Sequence, residues 1–257
     1  MTAAQQWIAF CSILRKEIKR FTRIWVQTLL PPAITMALYF VIFGKLIGSR
    51  IGDMAGFSYI QFVAPGLIMM SVLTNAYSNV VSSFYSAKFQ RSIEEVLVSP
   101  TPNYIILLGY TLGGVARGLA VGFLVTLLSL MFTDLPIHNL AATVVFVLMT
   151  AMVFSLAGFI NAVYANSFDD ISIVPTFVLT PLTYFGGVFY SVNLLPEFWQ
   201  KVSIFNPILH MVNAFRYGIL GISDVNIGAA FVGLALTIVV LFALSLHLLT
   251  NGKRLRA

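Results

Sequence analysis

Residues 228–250 read GAAFVGLALTIVVLFALSLHLLT, 23 positions without one Asp, Glu, Lys or Arg. As a helix this run is about 34 Å long, enough to cross a hydrocarbon core about 30 Å thick. It does not alternate apolar and polar residues, so it does not read as a barrel strand. In hydrocarbon a helix satisfies all of its own backbone groups. Runs 24–44, 59–83, 104–132, 139–163 and 171–190 read the same way. The composition agrees: 257 residues, 59% hydrophobic and 9% charged, against roughly 25% charged in a soluble domain. The expected fold is an all-α membrane protein with six transmembrane helices in a single domain.

Lysine and arginine set the orientation. With both termini cytoplasmic, the inner segments collect Arg15, Lys16, Lys19, Arg20, Arg23, Lys88, Arg91, Lys253, Arg254 and Arg256. The outer segments hold Lys45, Arg50, Lys201 and Arg216. That bias follows the positive-inside rule. The net charge of +6 therefore reports topology, and no nucleic-acid partner is read from it. Arg117 falls inside run 104–132, about one turn from its cytoplasmic face. There it reads first as a snorkelling arginine, with a substrate contact as the second reading.

Segment 5–21 is not read as a signal peptide, because its basic residues follow the apolar run. Trp7, Phe10, Cys11, Leu14, Ile18 and Phe21 share one helical stripe, with Lys16, Lys19, Arg20 and Arg23 on the other side. This predicts an amphipathic helix on the inner surface, its stripe in membrane lipid and its cations at headgroups. Segment 191–210 is too apolar for a solvated loop (Leu194, Leu195, Phe198, Trp199, Ile204, Phe205) and is broken by Pro196 and Pro207. It predicts re-entrant or interfacial helices on the outer side.

No motif carries catalysis. There is no nucleophile elbow, no His-Glu-x-x-His and no P-loop. The single cysteine and three scattered histidines offer no metal site. Asp169 and Asp170 suit a helix N-terminus better than a metal. Every Asp and Glu, Glu17 included, falls at the end of a run or in a loop, so ion coupling finds no candidate carboxylate.

The cytoplasmic segment 88–98 carries Phe89, Ile93, Val96 and Leu97 on one helical face and Arg91, Glu94 and Glu95 on the others. A short amphipathic helix between two spans is suited to docking in a partner's groove, or equally to lying on lipid. In 104–132, Gly109/Gly113 and Gly114/Gly118/Gly122 allow close helix approach, within one subunit or between two. Pro175 and Pro181 predict a kink in 171–190, with Thr176, Thr180 and Thr183 near the freed carbonyls. Asn75 and Asn79 are polar groups inside the second span. With Thr180, Thr183 and the aromatics Tyr77 and Tyr184 they are candidates for a translocation pathway.

The string from Val174 to Ser191, with Leu194-Leu195-Pro196, Phe205-Asn206-Pro207, Arg91 to Glu95, Ser99-Pro100 and Arg216, resembles the permease subunit of type-2 ABC exporters, over the whole chain. The resemblance implies a homodimer in the bacterial inner membrane and a separate ATP-binding subunit that carries ATP and magnesium. Helix 88–98 would be the coupling helix, through Phe89, Arg91, Ile93, Glu94, Glu95, Val96 and Leu97. Segment 191–210 would gate the exit of a path between spans two and five. Family members move drugs, lipids and saccharides, so the cargo stays open. A scaffold or enzyme without an ATPase partner is the alternative from another class, and a channel would want a polar face that no span shows.

Overall fold

A computed structural model describes residues 1–252, apart from the side chains of Lys45 and Ser49. Lys253, Arg254 and Arg256 of the charge count lie outside the described residues. Helix α1 (Ala3–Arg23) opens with a capping box between Thr2 and Gln5 and ends at Ile24, whose φ of −111° and ψ of 38° leave the helical region. The chain resumes as α2 (Trp25–Thr28) and α3 (Leu30–Tyr39), passes through a π-helical stretch (Phe40–Ile47) and closes with α4 (Gly48–Ile51). A two-stranded hairpin follows, β1 (Asp53–Met54) on β2 (Phe57–Ser58). Its turn residues Ala55 and Gly56 both have positive φ, the twist that suits a two-residue hairpin.

Helix α5 (Tyr59–Phe89) is the axis of the bundle and is buried along most of its length. Helices α7 (Asn103–Ser129) and α8 (Leu140–Tyr164) pack along it. Helix α13 (Ile227–Asn251) lies at the periphery with only 11% of its apolar stretch buried, which leaves Val232, Leu236, Val239 and Val240 facing outward. An apolar helix exposed to that degree needs lipid as its solvent.

The glycines of α7 divide between two neighbours in the same chain. A Cβ at Gly109 or Gly113 would stand 2.5 Å from Ile13 or Glu17 of α1, and one at Gly118 2.9 Å from Ala76 of α5. The stripe is thus used for packing inside one subunit.

Among the described residues five helices are long and apolar enough to cross a membrane. Run 171–190 is not one of them. It forms α9 (Asp170–Val174), a π-helical turn (Pro175–Leu179) and α10 (Thr180–Tyr184). Such a stretch is about 22 Å long, short of the roughly 30 Å core. Proline lacks an N–H and disrupts the helical ladder, and Gly187, at φ +67°, turns the chain back. The Thr183 hydroxyl donates to the Leu179 carbonyl at 2.7 Å and that of Thr180 to the Pro175 carbonyl at 2.9 Å.

Segment 191–210 holds a 3-10 turn (Val192–Leu194) and α11 (Glu197–Ile204), and then α12 (Pro207–Leu220), which runs ten residues past the expected end. Arg216 anchors this region. It is 1% exposed, lies 3.9 Å over the Phe62 ring, and donates to the carbonyls of Phe62 and Gly187 and to Asn213 Oδ1. Asp224 accepts from the Ser191 hydroxyl, the Val192 N–H and the Asn193 amide, which fastens the 3-10 turn to the α12–α13 loop.

Candidate functional site

At one end of the bundle the termini of α5, α7, α8 and α13 meet around α6 (Ser92–Val98). The expected helix 88–98 is divided. Phe89 ends α5, and Arg91, at φ 59°, takes the left-handed conformation that starts α6. Ser99 ends the helix, its hydroxyl donating to the Val96 carbonyl at 2.6 Å, and Pro102 precedes α7.

The apolar face of α6 seats the helix on its own subunit. Ile93 is fully buried and Val96 and Leu97 are half-buried, while Arg91, Glu94, Glu95 and Val98 are exposed. Ile93, on the face suited either to a partner's groove or to lipid, is buried inside its own chain. The surface left for an approaching molecule is Arg91, Glu94 and Glu95, with Phe89 and Val98 added at 64% and 87% exposure. Clefts flank the helix on both sides. One of about 410 Å³ is lined by Glu94, Leu97, Asn103 and Thr250, and one of about 280 Å³ by Tyr85, Lys88, Phe89 and Arg91. Glu94 lines both.

The surrounding loops are tied down. Lys88 Nζ donates to the carbonyls of Val163 and Ala165 at 2.8 and 2.9 Å, a cation at the C-terminal, negative end of α8. Phe168 stands edge-on to Tyr85 and Phe89. Asp170 accepts from the Asn166 and Ser167 N–H groups and returns its own N–H to Ser167 Oγ. Those hydrogen bonds, the Asn166 N–H first, hold its carboxyl below the usual carboxylate value. Among the described residues no cluster of three or more His, Cys, Asp or Glu is placed to hold a metal ion.

Helix α1 leaves the stripe expected in lipid partly open and turns a face centred on Glu17 toward the bundle. Glu17 is fully buried and Phe21 nearly so, whereas Trp7 is 65% exposed. Glu17 Oε1 accepts from Ser83 at 2.7 Å, and its other oxygen is 3.4 Å from Arg20. Arg20 reaches Asn79 and Lys16 reaches the Tyr110 hydroxyl. Arg20, expected at headgroups, is part-buried and points into the bundle, while Arg15, Lys16, Lys19 and Arg23 are exposed, Lys16 laying its ammonium along the Tyr110 ring edge of α7. Sequence reasoning missed Glu17. Its signal was the spacing Phe10, Ile13, Glu17, Phe21, which puts a carboxylate in the middle of an otherwise apolar face.

The pathway candidates separate into two groups. Asn75, Tyr77 and Asn79 are buried inside the subunit, the asparagine oxygens occupied by Arg117 and Arg20 and the Tyr77 backbone pressed on Gly158. Thr183 is buried against its own helix, while Thr180 and Tyr184 are exposed. Tyr184 stacks on Phe189, ring centroids 5.8 Å apart.

The family model described as ABC-2 type transporter matches residues 8–220. Over 251 residues, 98% of each chain, the sequence is 60% identical to the inner membrane transport permease YadH of Escherichia coli strain K12. The same figures hold for the protein of that name from Shigella flexneri. Nodulation protein J of Rhizobium leguminosarum bv. viciae is 24% identical over 244 residues, 95% of this chain and 93% of the relative.

Proposed function

The chain belongs to the ABC-2 type transporter family, and from that membership we infer how its parts are used. It is the membrane permease subunit of an ABC exporter, a multi-pass protein of the inner membrane and a transport subunit. Beyond this, we read a separate ATP-binding subunit as the site of ATP and magnesium, docked on α6. The observation that carries the reading is the seating of α6: Ile93 fixes the helix to the bundle while Glu94 and Glu95 project beside two clefts. A push delivered there is transmitted directly to α5 through the Gln90–Arg91 turn. Phe89, Arg91, Glu94, Glu95 and Val98 form the contact, with Val96 and Leu97 at its edge.

In the same reading two copies form the working unit and both termini are cytoplasmic. The broken helix 170–184 completes a sixth span with the help of the returning chain, and α11 with the start of α12 closes the outer end as a re-entrant pair. The path runs along the exposed Thr180 and Tyr184 face. Asn75, Tyr77 and Asn79, buried within the subunit, support that path from behind. The cargo is a drug, lipid or saccharide; fold alone does not choose among them.

Gentle purification from the native host, with identification of what comes along and an ATPase assay, tests this. An ATP-binding subunit in equal stoichiometry is the expected result. A bare permease without ATPase under several mild detergents would favour the membrane scaffold or enzyme.

A further inference from the structure

Arg117 stands in α7 four residues beyond Gly113, about 6 Å deeper along the helix. Its Nη2 donates to Asn75 Oδ1 at 3.2 Å and to the Thr28 carbonyl at 3.4 Å. Both acceptors are neutral and both bonds are long for the type. Its Nε has no partner among the described residues. Helices α5 and α7 contain no Asp or Glu. The ion pairs among the described residues are Arg20–Glu17 and Lys201–Glu197, so the nearby carboxylate is already engaged by Arg20 and Ser83. A guanidinium at this depth without an anion is costly.

The surroundings provide a break in the helix, flanking cations and a place for an apolar tail. The elbow at Ile24 interrupts the helix beside Arg117, and Thr28 secures it by donating its hydroxyl to the Phe21 carbonyl at 2.8 Å. Arg23 is exposed at the elbow, and Arg20 is part-buried beneath it. Leading away from the elbow into the span, Trp25, Val26 and Leu30 are 57%, 50% and 42% exposed. Cations at the inner boundary with bare apolar surface running into the membrane match an amphiphile with an anionic head.

We propose that the α1–α2 elbow binds an anionic phosphate group through Arg117, with Arg20 and Arg23 beside it, supplied by an inner-leaflet phospholipid headgroup or by free phosphate. The planar guanidinium matches two phosphate oxygens at once, which a lysine does not. The site is separate from α6 and from the Thr180 face, and it does not depend on how export is driven.

The test uses the full chain purified in mild detergent with any co-isolated subunit. Its thermal midpoint is read against added dioctanoyl phosphatidylglycerol, dioctanoyl phosphatidylcholine and inorganic phosphate. The expected result is a rise of several degrees with phosphatidylglycerol and much less with phosphatidylcholine, abolished in Arg117→Gln and kept in Arg15→Gln. An equal rise with inorganic phosphate identifies free phosphate as the source. A rise that survives Arg117→Gln, equal responses to both lipids, or no response to any probe overturns the proposal. If Arg117→Gln does not fold, Arg117→Lys keeps the charge and loses the fork. Its affinity for phosphatidylglycerol should fall about tenfold, and undiminished affinity counts against the site.

Discussion

One nitrogen of Arg20, Nη2, donates to both the backbone carbonyl and the side-chain Oδ1 of Asn79, each at 2.8 Å. A helix that could have floated as a lipid anchor is thereby fixed to the central span, and Glu17 completes the joint through Ser83. Charged hydrogen bonds away from bulk water contribute about 1.5–3 kcal/mol each. Asn79→Leu removes one of the two acceptors and should lower the thermal midpoint in detergent by several degrees. Ser83→Ala should cost less, since Glu17 keeps Arg20. An unchanged midpoint in Asn79→Leu would show that α1 is held by packing alone.

The glycines of α7 make a sharper prediction. At Gly113 a larger side chain meets Glu17 directly, whereas around Gly233 nothing lies within 4 Å. Gly113→Val should lift α1 off α7 and, by loosening the helix around the already exposed Lys16 and Lys19, speed tryptic cleavage there in the folded protein, while Gly233→Val should not. Equal cleavage in both variants would mean that the glycine contact does not hold the helix.

Arg216 unites three elements. Arg216→Leu leaves the buried Gly187 carbonyl unpaired, at about 1–3 kcal/mol, and removes the second bond to the Phe62 carbonyl. Lysine cannot reach all three acceptors from one ammonium, so Arg216→Lys should also lose most of the folded yield. A size-exclusion profile of Arg216→Lys that matches wild type would contradict this account.

Much of this was legible in the residues, and the exceptions share a cause. Uncharged runs such as 228–250 declare spans by length and polarity, and the observed helices fall close to the expected bounds. Periodicity finds an apolar stripe but not which neighbour covers it. In α6 the chain itself covers Ile93 and half covers Val96 and Leu97, and in α1 a second, inward face centred on Glu17 exists because glycines on a distant helix leave room there. The shortness of 170–184 follows from the chain leaving the helix after Tyr184 and taking a left-handed turn at Gly187, which hydropathy does not register. Arg117 was visible as an anomaly, but its neutral acceptors depend on how three helices come together.

The acid limb should be shallow near neutrality. Asp170 titrates below its usual value because the Asn166 N–H, then Ser167, favour the carboxylate. A depressed folded pKa stabilises fully above the unfolded value and is lost as pH falls through the folded one. Asp170→Asn should therefore shrink the gap in thermal midpoint between pH 7 and pH 3 without steepening it between pH 6 and pH 8. A variant that differs from wild type only above pH 6 would contradict the assignment.

The two faces of α6 predict opposite phenotypes. Ile93 is fully buried, so Ile93→Ala should cost about 2–5 kcal/mol and reduce the folded protein whether or not a partner is present. Glu94 and Glu95 are exposed and make no ion pair among the described residues, so Glu94→Lys with Glu95→Lys should leave the thermal midpoint of the isolated permease within a degree or two. If α6 docks as proposed, the same double reversal should weaken capture of the ATP-binding subunit, or leave its ATPase unresponsive to cargo, because a groove receiving α6 would have to accept two negative charges. Salt separates this from a fold defect: raising ionic strength should weaken the wild-type complex and narrow its difference from the variant. If the double reversal binds and couples like wild type at low salt, the acidic face of α6 is not the contact. Docking must then be sought on the walls of the two clefts beside it.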